Sequence, residues 1–181
     1  VNWKKLLTCA FAAALVSGLF TVPAQAGSVG VYGAFWDTDD ADSSWGGGVQ
    51  LGFDFFKWME LEFHGTYYPD FGADILGSSV DITALPVDGG LKFNFLPDAK
   101  VNLYVGAGVS YYFLDMDEAE IDNQTGWYAE GGLSFGEKNF RIFAEALWRV
   151  MDTSVSFGSF DEDADFDGIT GHFGVSWKWG S

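Results

Sequence analysis

The feature that most constrains this chain is an apolar alternation of period two that leaves one face free of charge. The stretch Val101 to Phe113 (VNLYVGAGVSYYF) is the clearest case. Val101, Leu103, Val105, Ala107, Val109, Tyr111 and Phe113 share one face, and Asn102, Tyr104, Gly106, Gly108, Ser110 and Tyr112 the other. A period of two is that of a strand, and the 3.6 period of a helix is missing after residue 26. Similar segments run near residues 28–37, 45–55, 58–68, 79–95, 101–113, 125–135, 140–150 and 167–179, eight in all. In the fourth, Val80 and Ile82 lie off the parity of Leu85, Val87, Leu91, Phe93 and Phe95. A bulge near Ala84-Leu85-Pro86 would account for that switch, since proline cannot donate to a ladder. The first segment carries apolar side chains on both parities, so its facing stays open.

The connections alternate in length. Phe56-Lys57, Leu96 to Lys100 and Gly136 to Asn139 are short. Asp37 to Ser44, Pro69 to Ser78, Leu114 to Gln124 and Met151 to Phe166 are long. An even number of strands with short turns at one end and long loops at the other predicts an all-β fold, an eight-stranded antiparallel up-and-down barrel. Each segment supplies the ~9–11 tilted residues that a bilayer crossing needs.

Such a barrel has two versions. A soluble, lipocalin-like one is apolar inside, whereas a transmembrane one is apolar outside and polar within. The cations argue for the membrane version. Lys57, Lys100 and Lys138 lie in or beside the short turns. Lys92, Arg141, Arg149 and Lys178 lie in strands on the polar parity. On a lipid face at the bilayer midplane, each would cost ~2–4 kcal/mol. Asp54, Glu60, Glu62, Glu130 and Glu145 share the polar parity. So do Gly46, Gly48, Gly52, Gly90, Gly106, Gly108, Gly132 and Gly174, which would weaken an outer face but make room inside a narrow barrel. Aromatics form two bands. Trp36, Trp45, Tyr67, Tyr111, Trp127 and Trp148 lie near the long loops; Phe55, Trp58, Phe95, Phe135, Phe140, Trp177 and Trp179 lie near the short turns.

Counting from the hairpin turns estimates depth. Asp54 falls opposite Glu60, Gln50 opposite His64, Ser134 opposite Arg141 and Glu130 opposite Glu145. Lys92 and Glu62 fall at a similar depth. Gln50, His64, Glu130 and Glu145 then make a central layer, with Arg149 and His172 somewhat higher. The expected interior polar network is therefore Gln50, Asp54, Glu60, Glu62, His64, Lys92, Glu130, Arg141, Glu145, Arg149, His172 and Lys178. An eight-stranded barrel is only wide enough for side chains to fill, so buried charges must pair into a plug. An ion-conducting or catalytic arrangement is the competing reading of the same residues.

The chain carries 26 acidic and 9 basic residues, a formal net charge of -17. That balance repels phosphate backbones and excludes nucleic acid as a partner. Most of the acids collect in three long loops: Asp37 to Asp42, Asp115 to Asp122 and Asp152 to Asp167. Asp163-x-Asp165-x-Asp167-Gly168 matches the first half of a calcium loop, but Gly174 stands where the motif ends in Glu. Asp163, Asp165 and Asp167 are thus a weak candidate for a divalent cation, beside the plainer reading of a solvated acidic loop. No other cofactor is expected.

The start of the chain reads as an address. Lys4 and Lys5, the apolar run Leu6 to Val22, Pro23 and Ala24-Gln25-Ala26 have the order of a secretory signal peptide. Residues 1–26 are expected to direct export by the Sec pathway, with 27–181 as the barrel. The single cysteine, Cys9, lies inside that leader.

The chain resembles the small eight-stranded outer-membrane barrels of the OmpA-transmembrane-domain and OmpX type. Beyond strand count and loop asymmetry, the resemblance rests on the last segment, Ile169 to Trp179 (ITGHFGVSWKW). Its alternating Phe173, Val175, Trp177 and Trp179 look like the family's C-terminal assembly signal, although Gly180 and Ser181 follow. The resemblance implies a monomer in the outer membrane of a diderm bacterium, in contact with outer-membrane lipids, lipopolysaccharide and the barrel-assembly machinery. It implies a non-enzymatic structural or surface-interaction role; a narrow porin-like channel or a lipid-modifying enzyme are the alternatives. The lipid A deacylase type uses a His-x-Ser pair, which His64-x-Thr66 and His172-x-Gly174 do not supply.

Overall fold

A computed structural model of the chain describes residues 26–38, 43–75, 78–116, 124–137, 139–157, 160–165 and 168–180. The strands are β1 (Gly27–Thr38), β2 (Ser44–Phe56), β3 (Met59–Ile75), β4 (Ser78–Asn94), β5 (Val101–Met116), β6 (Gln124–Glu137), β7 (Phe140–Phe157), β8 (Phe160–Asp165) and β9 (Gly168–Trp179). Each strand pairs antiparallel with its neighbour, and β6 pairing with β7 closes the ring. The barrel has eight strands. β8 stands apart, pairing with the last part of β7, Asp152 to Phe157, and so prolonging one hairpin. β3, β4, β5 and β7 run to 16–18 residues, well past the ~9–11 a tilted membrane strand needs. All four continue at the long-loop end.

Alternation sets the facing of every strand. In β5, Asn102, Tyr104, Ser110 and Tyr112 are buried, while Val101, Leu103, Val105, Val109, Tyr111 and Phe113 are exposed. The polar parity is the inner one, which is the membrane version of the barrel and not the lipocalin one. Tyr32, Ala34 and Trp36 are buried and Val29 and Val31 exposed, so in β1 the even residues face inward. An apolar outer wall has nothing to desolvate in lipid, and closure leaves no ladder edge unpaired in the hydrocarbon.

The inner glycines are where ring and carboxylate side chains lie against the wall. A Cβ on Gly132 would meet the ring of Tyr104, one on Gly48 or Gly174 would meet Tyr32, and one on Gly106 would meet the Glu130 carboxylate. Gly33, Gly65, Gly131 and Gly171, on the outer parity, would meet nothing within 4 Å. Packing large side chains into an eight-stranded lumen thus fixes which glycines matter.

Four expectations need correction. The irregularity lies in the β3–β4 pairing, between Tyr68 and Phe71, and not in β4 at Ala84 to Pro86. β4 stays in register with β5 from Ile82 to Asn94, with Pro86 opposite Tyr112. In the β6–β7 hairpin the ladder continues through Gly136↔Arg141 and Glu137↔Phe140. The turn is therefore shorter, and the register moves by two: Glu130 faces Leu147 and Gly132 faces Glu145. Ser134 likewise faces Phe143 instead of Arg141. His172 does not lie above the central layer but directly opposite Glu145. Finally, Trp36 is not part of the aromatic band. It is 2% exposed, with its ring 5.3 Å from that of Tyr68 and 5.9 Å from that of Tyr112. Trp45, Tyr67, Tyr111, Trp127 and Trp148 are exposed at that end, and Phe55, Trp58, Phe95, Phe135, Phe140 and Trp177 at the other.

Candidate functional site: the polar interior

The inward side chains fall into three levels. Nearest the short turns, Glu60 is held by Lys92 at 3.6 Å, by Lys178 at 3.5 Å and by the Ser28 hydroxyl at 2.7 Å. Lys178 also reaches Asp54 at 3.7 Å. Register explains the Lys92 contact, since Glu60 is its direct partner across β3–β4. Arg141 donates to Ser134 Oγ at 3.2 Å and to the turn carbonyls of Pro97 and Ala99 at 3.1 and 2.9 Å. It ties the β4–β5 turn to the wall. A small polar vestibule of about 30 Å³ opens at this end between Pro97 and Lys178 and is lined by Gln50, Lys92 and Tyr104.

The central level holds three carboxylates and two imidazoles. His172 Nδ1 lies 2.9 Å from Glu145 Oε1, and the Tyr104 hydroxyl donates to Glu145 Oε2 at 2.8 Å. The Tyr32 ring stacks on His172 at 4.3 Å between centroids, and its hydroxyl shares a 2.8 Å hydrogen bond with Thr66. Lys92 contacts Glu62 through Oε2. His64 lies opposite Gln50, with Nε2 3.3 Å from Glu62 Oε1 and 3.7 Å from Glu145 Oε1. Glu130 is buried beside them. Its carboxyl lies against that of Glu62; no N–H or hydroxyl among the described residues donates to its oxygens or to Glu62 Oε1, and neither ring nitrogen of His64 is hydrogen-bonded among them.

The upper level is a single clamp. Arg149 donates from both terminal nitrogens to Asp88, at 2.8 Å each. Its Nε donates to Thr170 Oγ1 at 3.1 Å, and its guanidinium lies 5.9 Å from the Trp36 ring. Both residues are fully buried. Such a fork-on-carboxylate bond is among the strongest that a buried charge can make.

Gln50, Glu60, Glu62, His64, Lys92, Glu130, Arg141, Glu145, Arg149 and His172 are buried; Asp54 and Lys178 are half-buried toward the short turns. Asp88 was absent from the expected network, although it shares its parity with Gly90 and Lys92. A buried arginine with no acid at its own level was the signal that could have found it. The inward tyrosines Tyr32, Tyr104 and Tyr128 were absent too, because the expected network was drawn from charged, imidazole and amide side chains, although Tyr104 already stood on the polar parity. Asp163 and Asp165 belong to β8, but their side chains, with the whole of Asp167, lie outside the described residues. The acidic stretches 39–42 and 117–123 lie outside them as well.

A closed antiparallel barrel with an apolar outer wall, two exposed aromatic bands and a charged lumen defines an integral membrane protein of the outer-membrane kind. The family model of the outer membrane protein beta-barrel domain matches residues 6–178, and the chain belongs to that family. The fold is similar to that of the outer membrane protein OprG from Pseudomonas aeruginosa, with a TM-score of 0.75 at 17% identity over 87% of this chain and 97% of that one. It is also similar to Neisserial surface protein A, with a TM-score of 0.56 at 15% identity over 85% and 96%. The N-terminal barrel of Pseudomonas aeruginosa OprF gives 0.51 at 17% identity over 87% and 100%. No curated protein matches the chain by sequence. Its family makes it a protein of the outer membrane.

Proposed function

We propose that this outer-membrane barrel is a non-enzymatic structural and surface-interaction protein with a plugged interior, displaying acidic loops outside the cell. The observation that carries this reading is the Asp88–Arg149 clamp. Asp88 stands on β4 and Arg149 on β7, so the bond spans the lumen, and the Trp36 ring lies within 5.9 Å of the guanidinium. A permeating ion would have to displace a bidentate bond that no water replaces in kind. Below it, Tyr104, Tyr32 and the two histidines fill the section. The histidines support the non-enzymatic reading in another way: both point into the lumen, away from lipid and from any acyl chain.

The acidic loops, by the same reading, face lipopolysaccharide and attract divalent ions that bridge its phosphates; Asp163, Asp165 and Asp167 are the residues to examine for such an ion. The leader directs Sec export, the assembly machinery inserts the barrel, and the protein works as a monomer.

Planar-bilayer recording tests the plug. Purified protein is expected to give no steady conductance, and Arg149→Ala is expected to open a small one. Steady conductance from the unaltered protein would replace this reading with a narrow channel. Surface protease treatment of intact cells tests the loops, which are expected to be cut while the barrel stays protected.

A further inference from the structure

We infer that Glu62, His64 and Glu130 form a binding site for one zinc-class divalent metal ion at the centre of the barrel. The argument begins with atoms that lack partners. Buried polar atoms in folded proteins are almost always hydrogen-bonded, and a group of exceptions points to a missing ion or water. Here the exceptions converge. Glu62 divides its carboxylate, with Oε2 on Lys92 and Oε1, unpartnered, toward His64. His64 is 2% exposed and neither ring nitrogen is hydrogen-bonded. Glu130 is 6% exposed, its carboxyl lies against that of Glu62, and no N–H or hydroxyl among the described residues donates to either of its oxygens. One ligand atom from each of the three lies within 4.8 Å of the other two.

The distances suit a metal better than a hydrogen bond. Ligand atoms held at about 2.0–2.1 Å in a tetrahedral shell stand roughly 3.4 Å apart. His64 Nε2 is 3.3 Å from Glu62 Oε1 and 3.7 Å from Glu145 Oε1. Glu130 must draw in by about an ångström to complete such a shell. It is free to do so, because it lies over Gly106, where a Cβ would block it. Glu145 is already engaged by His172 and Tyr104, so it serves as a neighbour that orients the site.

Charge supports the same assignment. Lys92 is shared between Glu60 and Glu62, and Glu60 is also served by Lys178. No cation among the described ion pairs is left for Glu130. Two carboxylates and one imidazole balance a divalent ion, and a nitrogen donor selects the zinc class over magnesium or calcium. The small polar vestibule at the short-turn end stops one residue short of the site, at Gln50, the strand partner of His64, and at Lys92, the partner of Glu62.

The test uses the full chain refolded in detergent, stripped of metal and titrated with Co²⁺, a coloured stand-in for Zn²⁺. One equivalent is expected to bind with visible ligand-field absorption and to be displaced by Zn²⁺. His64→Gln and Glu130→Gln are each expected to weaken binding at least about tenfold, with folding checked by heat-modifiable gel migration. Replacing Asp39, Asp40 and Asp42 together by Asn is expected to leave it unchanged. X-ray absorption of the unaltered Co²⁺ protein is expected to show one imidazole in the metal shell, a result that depends on no variant. No binding to the folded protein, binding that survives both His64→Gln and Glu130→Gln, or a shell of oxygen alone would each overturn the assignment.

Discussion

The upper and central levels of the lumen are both buried and both charged, yet they are built on opposite terms. At Asp88–Arg149, one acid meets one base in a fork, and the remaining guanidinium nitrogen has Thr170. At Glu62, His64, Glu130 and Glu145, acids outnumber the base, and several polar atoms have no partner. Burying a charge is costly unless it is paired, so the first arrangement offsets its own burial and the second costs the barrel stability while the site is empty. Stability alone therefore explains the clamp and leaves the central cluster in need of a ligand.

The largest expected effect comes from breaking the clamp. Arg149→Ala leaves Asp88 buried and unpaired and should destabilise the barrel by about 3–5 kcal/mol in denaturant titrations in lipid or detergent. Adding Asp88→Leu to Arg149→Met should recover most of that loss. If the single variant unfolds like the parent, the clamp is not the stabilising element described here.

Next comes the outer wall. Val105→Lys puts an ammonium on the lipid face and should cost about 2–4 kcal/mol, measured by the same titration in lipid vesicles. An equal cost in a soluble, lipid-free form would undo the assignment of that face.

A pair of glycine variants compares inside with outside. Gly132→Val meets the Tyr104 ring and should cost about 1–3 kcal/mol as overpacking. Gly131→Val, one residue along with open space around it, should be neutral or stabilising by at most about 1 kcal/mol from strand propensity. Reversal of that order would mean the parity is wrong.

The central level should respond with the opposite sign to the clamp. Glu130→Gln keeps shape and puts a neutral amide where a carboxyl lies against that of Glu62, so it should leave the metal-free barrel unchanged or stabilise it by at most about 1 kcal/mol. Destabilisation in metal-free buffer would show a proton or a water already satisfying Glu130. The smallest effect belongs to the exposed pair Lys57–Asp98, 3.3 Å apart with both side chains nearly four-fifths exposed. Lys57→Ala should change stability by less than about 1 kcal/mol, and less still in high salt.

Much of this molecule could be read directly from its residues. The alternation in VNLYVGAGVSYYF told inside from outside for β5, and the inward cations told lumen from lipid. Gln50 opposite His64 and Asp54 opposite Glu60 followed from counting around Phe56-Lys57; the structure turns at Lys57-Trp58, and a bulge between Asp54 and Phe56 restores those pairs. Depth across β6–β7 did not follow, because nothing in Gly136-Glu137-Lys138-Asn139 says how far the ladder runs before it turns. A two-residue error there preserves every facing and still exchanges Glu145 for Leu147 as the partner of Glu130.

The alternation and the placement of charge thus determined by themselves that this chain forms a closed barrel with an apolar outside, because a period of two is a local property of each strand. Which inward residues meet was decided by the tertiary structure. Contacts across a lumen depend on register and tilt accumulated over all eight strands. That is why Asp88 finds Arg149 from 61 residues away, and why ligand atoms of Glu62, His64 and Glu130 come within 4.8 Å of one another, which none of their strands could specify alone.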